Sequence, residues 1–316
     1  MSMRAWVGNT DWQWFSHLAR EQPLEEVNFW QPGGRQRFGT LEPGELFLFK
    51  LKSPRNAIVG GGVFAYSTLL PLRLAWDTFG TANGARSFED MRRLIERYRD
   101  RRRQESENYT IGCILLTQPF FLTEDRWIPV PADWSPNIVQ GKTYDLEQEP
   151  GLSLYRRLRE ALERDASGIG ASMRARDSDE RSGDRYGRPM LITPRLGQGS
   201  FRVLVTDAYD RRCAITGERV LPVLEAAHIR PYAEEGPHRV DNGILLRSDL
   251  HTLFDSGYVT VTPDLHLEVS RRIREEFDNG KAYYALRGQE LRPPERPTYR
   301  PGHEYLSWHN EHVYRG

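Results

Sequence analysis

Two histidines and an asparagine in the last third of the sequence have the types and the spacing that chemistry at a single site requires. Asn242 follows His228 by 14 positions, and His251 follows Asn242 by nine. A neutral imidazole near pH 7 can take a proton from water or bind a divalent metal ion. Asp255 lies four positions after His251, so on a helix both side chains could reach the same ion. Taken singly, each residue is more often structural, and it is their joint spacing that favours a catalytic site.

The surrounding segments, 225–232 and 240–255, resemble the HNH nuclease family, in which two strands and a helix wrap around one divalent metal ion. The resemblance implies an endonuclease that hydrolyses phosphodiester bonds. It also implies a general base at His228, at the end of a strand, and a loop brace at Asn242 through backbone hydrogen bonds. His251, on the helix, would bind the metal. These three are the predicted catalytic residues.

One departure from the family's common pattern concerns the metal site. Many members carry a carboxylate or a histidine immediately before the general base, where this chain has Ala227. We therefore predict Asp255 as the second ligand beside His251, with Glu225 as its competitor. Nitrogen and oxygen donors with several waters suit one Mg²⁺ or Mn²⁺ per site, without excluding nickel or zinc. The same departure keeps open a nucleic-acid-binding protein with an inactive HNH site.

Other basic side chains near these segments could contact DNA or be ordinary surface residues. Arg202 and Arg247 are candidates for phosphate binding, since the guanidinium fork matches phosphate oxygens. His238 is expected in a loop. His309 and His312 have a metal-like separation, but they fall in a Pro- and Arg-rich tail that we expect to cover the surface.

The composition is that of a globular chain large enough for two domains. The 316 residues are 38% hydrophobic and 28% charged, and the formal net charge of zero gives no argument for binding a polyanion. No apolar run is long enough to cross a membrane, and the N-terminus lacks an apolar signal core, so we expect a cytoplasmic protein. Cys113 and Cys213 have no close cysteine partner, and we predict reduced, buried thiols.

Hydrophobic patterning in the first half predicts short strands with inserted helices. Alternating or continuous apolar residues indicate strands at 45–51, 57–66 and 110–117. Ser87 precedes Asp90 in the manner of a helix cap, and an apolar face then recurs at helical spacing through Met91, Leu94, Ile95 and Tyr98. We predict a compact, partly closed β-barrel.

The predicted organisation is an α+β protein of two domains. The first domain spans 1–164. A segment dominated by Ser, Gly, Arg and Asp follows at 165–190 and predicts a flexible linker, because it has almost no aliphatic side chains to bury. The ββα-metal HNH domain spans 191–316 and includes a hairpin that turns at 263–264.

The opening of the first domain resembles the EVE-type barrels of the PUA superfamily. The resemblance lies in the pattern and order of segments 3–14, 27–31, 46–50 and 58–62. It implies a pocket in which a modified base, flipped out of its duplex, stacks on aromatic side chains and forms edge hydrogen bonds. The predicted base-binding residues, chosen by position, are Trp12, Trp30, Trp76, Asn28 and Asp77.

A base-reading barrel joined to an HNH domain predicts a modification-dependent restriction endonuclease. Its partner would be double-stranded DNA with modified cytosine of the 5-methyl or 5-hydroxymethyl type. The first domain could instead sense a nucleotide signal or a modified RNA. Because one HNH site cuts one strand at a time, a double-strand break needs either a homodimer, formed transiently on DNA, or two successive visits. The linker would allow cuts at variable distance from the modified base.

Overall fold

The computed structural model of the chain describes residues 3–99, 108–163, 192 and 194–316. The chain forms two compact units, Met1–Gly197 and Gln198–Gly316. The linker expected at 165–190 lies outside the described residues, and the domain limits drawn from composition, 1–164 and 191–316, stay a prediction. Both units combine helices with sheet, which confirms the predicted α+β class. Within the described ranges, no helix is both long and apolar enough to cross a membrane.

One sheet dominates the first unit. Its strands are β1 (Arg4–Thr10), β2 (Glu26–Gln31), β3 (Leu46–Leu51), β4 (Ala57–Pro71), β5 (Thr110–Phe121), β6 (Ile128–Pro129) and β7 (Gly141–Asp145). The pairing order is β2-β5-β4-β3-β1-β7, with β6 beside the start of β4. β1 runs parallel to β3, and the other neighbours are antiparallel. The sequence predicts a partly closed barrel; among the described strands the ladder runs from β2 to β7 without closing.

Close approach of neighbouring strands explains the glycines at the centre of this sheet. β3 is buried along its whole length. A Cβ atom on Gly60 would lie 2.3 Å from the carbonyl oxygen of Phe120, and one on Gly61 would lie 2.7 Å from the carbonyl oxygen of Phe47. Larger residues at these two positions would push β4 away from β5 and β3.

Within the part of the first unit that the structure describes, four helices accompany the sheet. They are α1 (Trp12–Leu18), α2 (Leu72–Phe79), α3 (Phe88–Glu96) and α4 (Gly151–Glu163). The predicted cap of α3 is confirmed, since Ser87 Oγ accepts the backbone N–H of Asp90 at 3.2 Å. Met91 and Ile95 bury one face of α3, and Leu154 of α4 joins the hydrophobic core that β1 and β3 line.

The second unit is built around a short two-stranded sheet and the helix that follows it. Its helices are α5 (Gln198–Ala208), α6 (Ser248–Asp255), α7 (Arg272–Phe277), α8 (Lys281–Tyr284) and α9 (His303–His312). Its strands are β8 (Leu224–His228), β9 (Gly243–Arg247), β10 (Val259–Val261) and β11 (Leu267–Val269). β8 pairs antiparallel with β9, and α6 begins where β9 ends. This is the ββα order that the HNH resemblance implies. β10 and β11 form the predicted hairpin.

Helix α5 packs very closely on the β8–β9 pair. A Cβ atom on Gly243, the first residue of β9, would lie 2.6 Å from Val205 Cγ2 and 2.9 Å from the Phe201 ring. Glycine at this position therefore lets α5 approach. This close approach also brings the ring of Phe201 onto that of His228, the last residue of β8.

The C-terminal helix α9 belongs to the core of the second unit rather than to a surface cover. His309 is only 2% exposed, and its ring stacks on Phe254 of α6 at 3.7 Å between centroids. Its nitrogens bond to the Thr260 hydroxyl at 2.8 Å and the Phe254 carbonyl at 3.1 Å. The surface prediction was wrong for His309, although His312 is exposed. The overlooked signal is helical spacing, since the buried Leu306 lies three positions before His309.

Candidate active site

The three predicted catalytic residues come from the three parts of the ββα arrangement. His228 ends β8, Asn242 ends a 3₁₀ turn that leads into β9, and His251 lies on α6. His228 and His251 line one cleft of about 560 Å³, together with Asp255 and Glu225. The fold thus brings the predicted general base and the predicted metal ligands to a single cavity.

Asn242 is fully buried and ties the loop between β8 and β9 at its base. Its Oδ1 accepts the backbone N–H of Arg230 at 2.9 Å. Its Nδ2 donates to the carbonyl of Arg230 at 2.9 Å and to the carbonyl of Pro237 at 3.0 Å. These are the backbone hydrogen bonds that the family resemblance implies for this residue, and they hold the chain two residues after His228.

His251 lies between two carboxylates, one at each ring nitrogen. Nδ1 is 2.6 Å from Oε2 of Glu225, and Nε2 is 3.2 Å from Oδ2 of Asp255. Burial alone would lower the pKa of His251, but the hydrogen bonds to Asp255 and Glu225 outweigh it, so the pKa is raised above its ordinary value. The two acids therefore have different relations to the ring, although sequence alone made them competitors for one role.

The side chains at this cleft fit a partial metal site. Within the described residues, no group of three His, Cys, Asp or Glu side chains encloses a position for a metal ion. His251 Nε2 and Asp255 Oδ2 nevertheless face each other at 3.2 Å in the cleft, as an imidazole and a carboxylate that could share one ion. An ion held by so few protein donors keeps water in its remaining positions, which is the habit of Mg²⁺.

Ala227, where many HNH proteins have a carboxylate or histidine, is fully buried in this structure. Side chains two positions apart on a strand share a face, so Glu225 lies on the same face of β8 as Ala227. The carboxylate that contacts His251 therefore comes from Glu225, two residues before Ala227 on the strand.

His228 is packed and neutral. Its ring stacks on Phe201 with centroids 3.8 Å apart and planes inclined by 12°. Its Nε2 lies 3.0 Å from Nδ1 of His238, a partner that the sequence analysis expected only in a loop. Burial, and secondarily the neighbouring His238, lowers the pKa of His228 to about 4. The ring is therefore uncharged near pH 7.

The two arginines predicted to bind phosphate are placed differently. Arg202, on α5, lines the cleft of His228 and His251. Arg247 does not line it, and its Nε and one terminal nitrogen bind Asp249 at 2.6 and 2.7 Å. A guanidinium held in this bidentate way has its fork occupied, so only Arg202 fits the predicted role.

The residues predicted to bind a modified base are dispersed over the first unit. Trp12, on α1, is 40% exposed, and the guanidinium of Arg55 lies 3.8 Å above its ring. Trp76 and Asp77 lie on α2, where Asp77 pairs with Arg73 at 3.1 Å. The first unit has a cleft lined by Trp14, Phe29, Trp30, Phe38 and Tyr98, called here the aromatic cleft. None of the three predicted residues Trp12, Trp76 and Asp77 lines it.

Asn28 and Trp30, both on β2, hold a neighbouring 3₁₀ turn in place. Asn28 is fully buried, and its Nδ2 donates to Oδ1 of Asn83 at 2.8 Å. Trp30 Nε1 donates to the carbonyl of Asn83 at 3.0 Å. Of the five predicted base-binding residues, Trp30 alone lines the aromatic cleft.

This aromatic cleft of the first unit has a volume of about 810 Å³. Its aromatic lining is Trp14, Phe29, Trp30, Phe38 and Tyr98. Gln36 and Gln140, which carry amide side chains, also line it. Sequence reasoning assigned Tyr98 to the core face of a helix and did not single out Phe38. Tyr98 is in fact 45% exposed, and its hydroxyl donates to Asp11 at 2.7 Å.

Comparisons with known proteins identify part of the second unit. Residues 213–262 match the HNH endonuclease family model HNH_2. No curated protein matches the chain. Similar solved structures include ASCH from Zymomonas mobilis, at 12% identity over 49% of this chain and 92% of that chain with a TM-score of 0.32. The Y47F mutant of that protein is 11% identical over 48% of this chain and 96% of that chain, with a TM-score of 0.33. The modification-dependent TagI restriction endonuclease is 12% identical over 92% of this chain and 75% of that chain, with a TM-score of 0.28.

The family match spans the ββα arrangement and includes His228, Asn242 and His251. HNH endonucleases generally use a divalent metal ion, and the match points to DNA as the partner. Residues 213–262 therefore form an HNH endonuclease domain, and the protein is a nuclease.

Proposed function

We infer that this protein is a metal-dependent endonuclease that cuts double-stranded DNA carrying a modified base. The observation that carries the first half of this proposal is the meeting of His228, His251 and Asp255 in one cleft, with Arg202 at its wall. It combines a neutral base, a nitrogen and an oxygen donor for a metal ion, and a cation for phosphate. Those are the groups that phosphodiester hydrolysis needs.

His228 is the general base of the proposed reaction. With a pKa of about 4, its ring is unprotonated at neutral pH and can take a proton from the attacking water. Asn242 keeps the end of β8 in position through its bonds to Arg230. Arg202 binds a phosphate oxygen of the DNA at the wall of the cleft.

His251 and Asp255 would hold the metal ion, one Mg²⁺ or Mn²⁺ per site. His251 would coordinate it through Nε2, the nitrogen that faces Asp255, while the hydrogen bond of Nδ1 to Glu225 orients the ring. When bound, such an ion would supply a positive charge that stabilises the developing charge on the phosphate and the leaving oxygen.

The test is cleavage of modified plasmid DNA in Mg²⁺ or Mn²⁺. His228→Ala and His251→Ala should each abolish cleavage, and His251→Ala should also weaken metal binding measured by calorimetry. His312→Ala is the matched control, because His312 is an exposed histidine of the same unit and should cut at the wild-type rate. Near wild-type cleavage by His228→Ala would refute the assignment of the base.

The aromatic cleft of the first unit is the proposed site for the modified base. Aromatic rings that line a cavity of about 810 Å³ offer stacking surfaces, and the amide groups of Gln36 and Gln140 offer edge hydrogen bonds. A base reaches such a cleft only when it is flipped out of the duplex. We assign the ligand as 5-methylcytosine or 5-hydroxymethylcytosine, read by the full-length protein before cleavage.

Binding of modified and unmodified duplexes tests this site. With His228→Ala in the background to prevent cleavage, the protein should bind the modified duplex more tightly at a fixed salt concentration, because phosphate contacts carry no such preference. Tyr98→Ala should reduce the preference roughly 10-fold, as expected for the loss of base stacking. Trp12→Ala, an exposed aromatic outside the cleft, is the control. Equal affinity for both duplexes would contradict base readout.

Double-strand cleavage is proposed to need two copies of the chain on DNA, because each HNH domain offers one general base and one metal position. Cut ends mapped on a substrate with a single modified site should lie at variable distances from it, and the rate should rise more steeply than linearly with protein concentration. A single fixed cut position formed at a strictly linear rate would contradict both expectations.

A further inference from the structure

His228 has a second histidine as its hydrogen-bond partner. Its Nε2 lies 3.0 Å from Nδ1 of His238, and the two ring planes are inclined by 59°. The other ring nitrogen of His228, Nδ1, makes no hydrogen bond to the described part of the chain. Within the unit, the ring is therefore held through one nitrogen only.

Stacking fixes the planes of both rings. His228 lies flat on Phe201, with centroids 3.8 Å apart and planes inclined by 12°. His238 lies flat on Tyr232, with centroids 4.7 Å apart and planes inclined by 7°. The hydrogen bond between the two rings uses Nε2 of His228, so the direction of that bond decides which nitrogen of His228 carries the proton.

Asn242 holds the two chain segments that carry the histidines close together. It accepts the backbone N–H of Arg230, two residues after His228. It also donates to the carbonyl of Pro237, the residue immediately before His238. One buried amide thus anchors both ends of the segment that carries the pair.

We propose that His238 is a positioning residue that selects the reactive tautomer of His228. Its Nδ1 accepts the Nε2–H of His228 and leaves the lone pair of His228 on Nδ1, which takes the proton from water. A neutral imidazole has one N–H and one available lone pair. If His238 Nδ1–H donated to His228 Nε2 instead, the lone pair of His228 would be on Nε2 and would no longer be available to take a proton from water. The inference rests on the proposed role of His228 as general base and adds the group that prepares it.

Two variants of similar side-chain size separate this role from simple packing. His238→Asn keeps an amide oxygen that can accept the Nε2–H, whereas His238→Leu fills the space without an acceptor. In the full-length protein with Mg²⁺ or Mn²⁺, His238→Leu should lower kcat by about 10- to 100-fold, the usual effect of losing a group that orients a site histidine, with KM unchanged. His238→Asn should stay within a few-fold of wild type.

A spectroscopic measurement on the metal-free protein reads the tautomer directly. In protein labelled with ¹⁵N-histidine, the His228 signals are those that vanish in His228→Ala. Long-range ¹H–¹⁵N correlations should show His228 protonated at Nε2 in wild type and in His238→Asn. In His238→Leu the same signals should report a mixture of the two tautomers.

Three results would overturn the proposal: wild-type kcat in His238→Leu, equal losses in the Leu and Asn variants, or a His228 ring protonated at Nδ1. The failure of the proposed function is a different outcome, since it would appear as cleavage by His228→Ala itself.

Discussion

Replacing Asn242 by alanine removes three hydrogen bonds from a fully buried site, two with Arg230 and one with Pro237. At about 1 kcal/mol for each bond, the second unit should lose about 3 kcal/mol of unfolding free energy. A typical domain has about 5 to 15 kcal/mol, so the variant should still fold. Asn242→Asp should be at least as damaging, because it turns the donor into an acceptor that faces two carbonyl oxygens.

A second asparagine of the same unit provides the matched control. Asn310 Nδ2 donates to the carbonyls of Val261 at 2.8 Å and Leu306 at 2.7 Å, and Asn310 does not line the cleft. Asn310→Ala should therefore cost about 2 kcal/mol of unfolding free energy. Urea titration of the full-length protein, followed by hydrogen exchange of the β8–β9 segment, measures both losses.

The cleavage rate then separates stability from positioning. At a temperature where both variants stay folded, Asn242→Ala should cut at least ~10-fold more slowly than wild type, because the segment that carries His228 is no longer anchored. Asn310→Ala should cut at the wild-type rate. Equal rates in the two variants would refute the reasoning, as would an Asn242→Ala protein that is as stable as wild type.

Three further predictions concern the metal, the DNA and the pH. Glu225→Gln should weaken metal binding in calorimetry by about 10- to 100-fold, and less than Asp255→Asn does; the reverse order would make Glu225 the ligand. Arg202→Ala should reduce the salt slope of DNA binding by about one, whereas Arg247→Ala should not. Burial lowers the pKa of His309 to about 4, below the ~6.5 of an unfolded chain, so the folded form resists protonation. Because of this group, the unfolding free energy of the second unit should fall by about 2 kcal/mol between pH 8 and pH 5. In urea titrations of His309→Gln, that fall should be about 2 kcal/mol smaller.

The grouping of His228, Asn242 and His251 could be predicted from the sequence because its members lie on short elements in a fixed order. His228 ends a strand, Asn242 ends a 3₁₀ turn and His251 lies on a helix. The roles of the acids could not be separated, because Glu225 and Asp255 approach different nitrogens of the same ring. Only the fold shows that difference. His238 was equally hidden, since its contact with His228 depends on how a loop returns.

The aromatic cleft of the first unit was predicted poorly for a physical reason. Tryptophan count and position do not tell which indole faces a cavity, and Trp76 and Trp12 lie outside it while Trp30 lines it. Phe38 comes from the irregular segment between β2 and β3, which has no periodicity to interpret. The apolar spacing of α3 assigned Tyr98 to the core, although the chain has already left the helix there.

The anchoring of the loop between β8 and β9 has a consequence for how the nuclease domain can diversify. A Cβ atom on Gly236 would lie 1.9 Å from the carbonyl oxygen of Arg230, so the returning chain crosses the outgoing chain where only glycine fits. Asn242 binds just below this crossing, at Arg230 and Pro237. Residues 233–235 lie beyond it and are exposed. Lengthening the tip there adds little closure entropy and leaves the crossing intact, so this tip can change in length and sequence while His228 keeps its position.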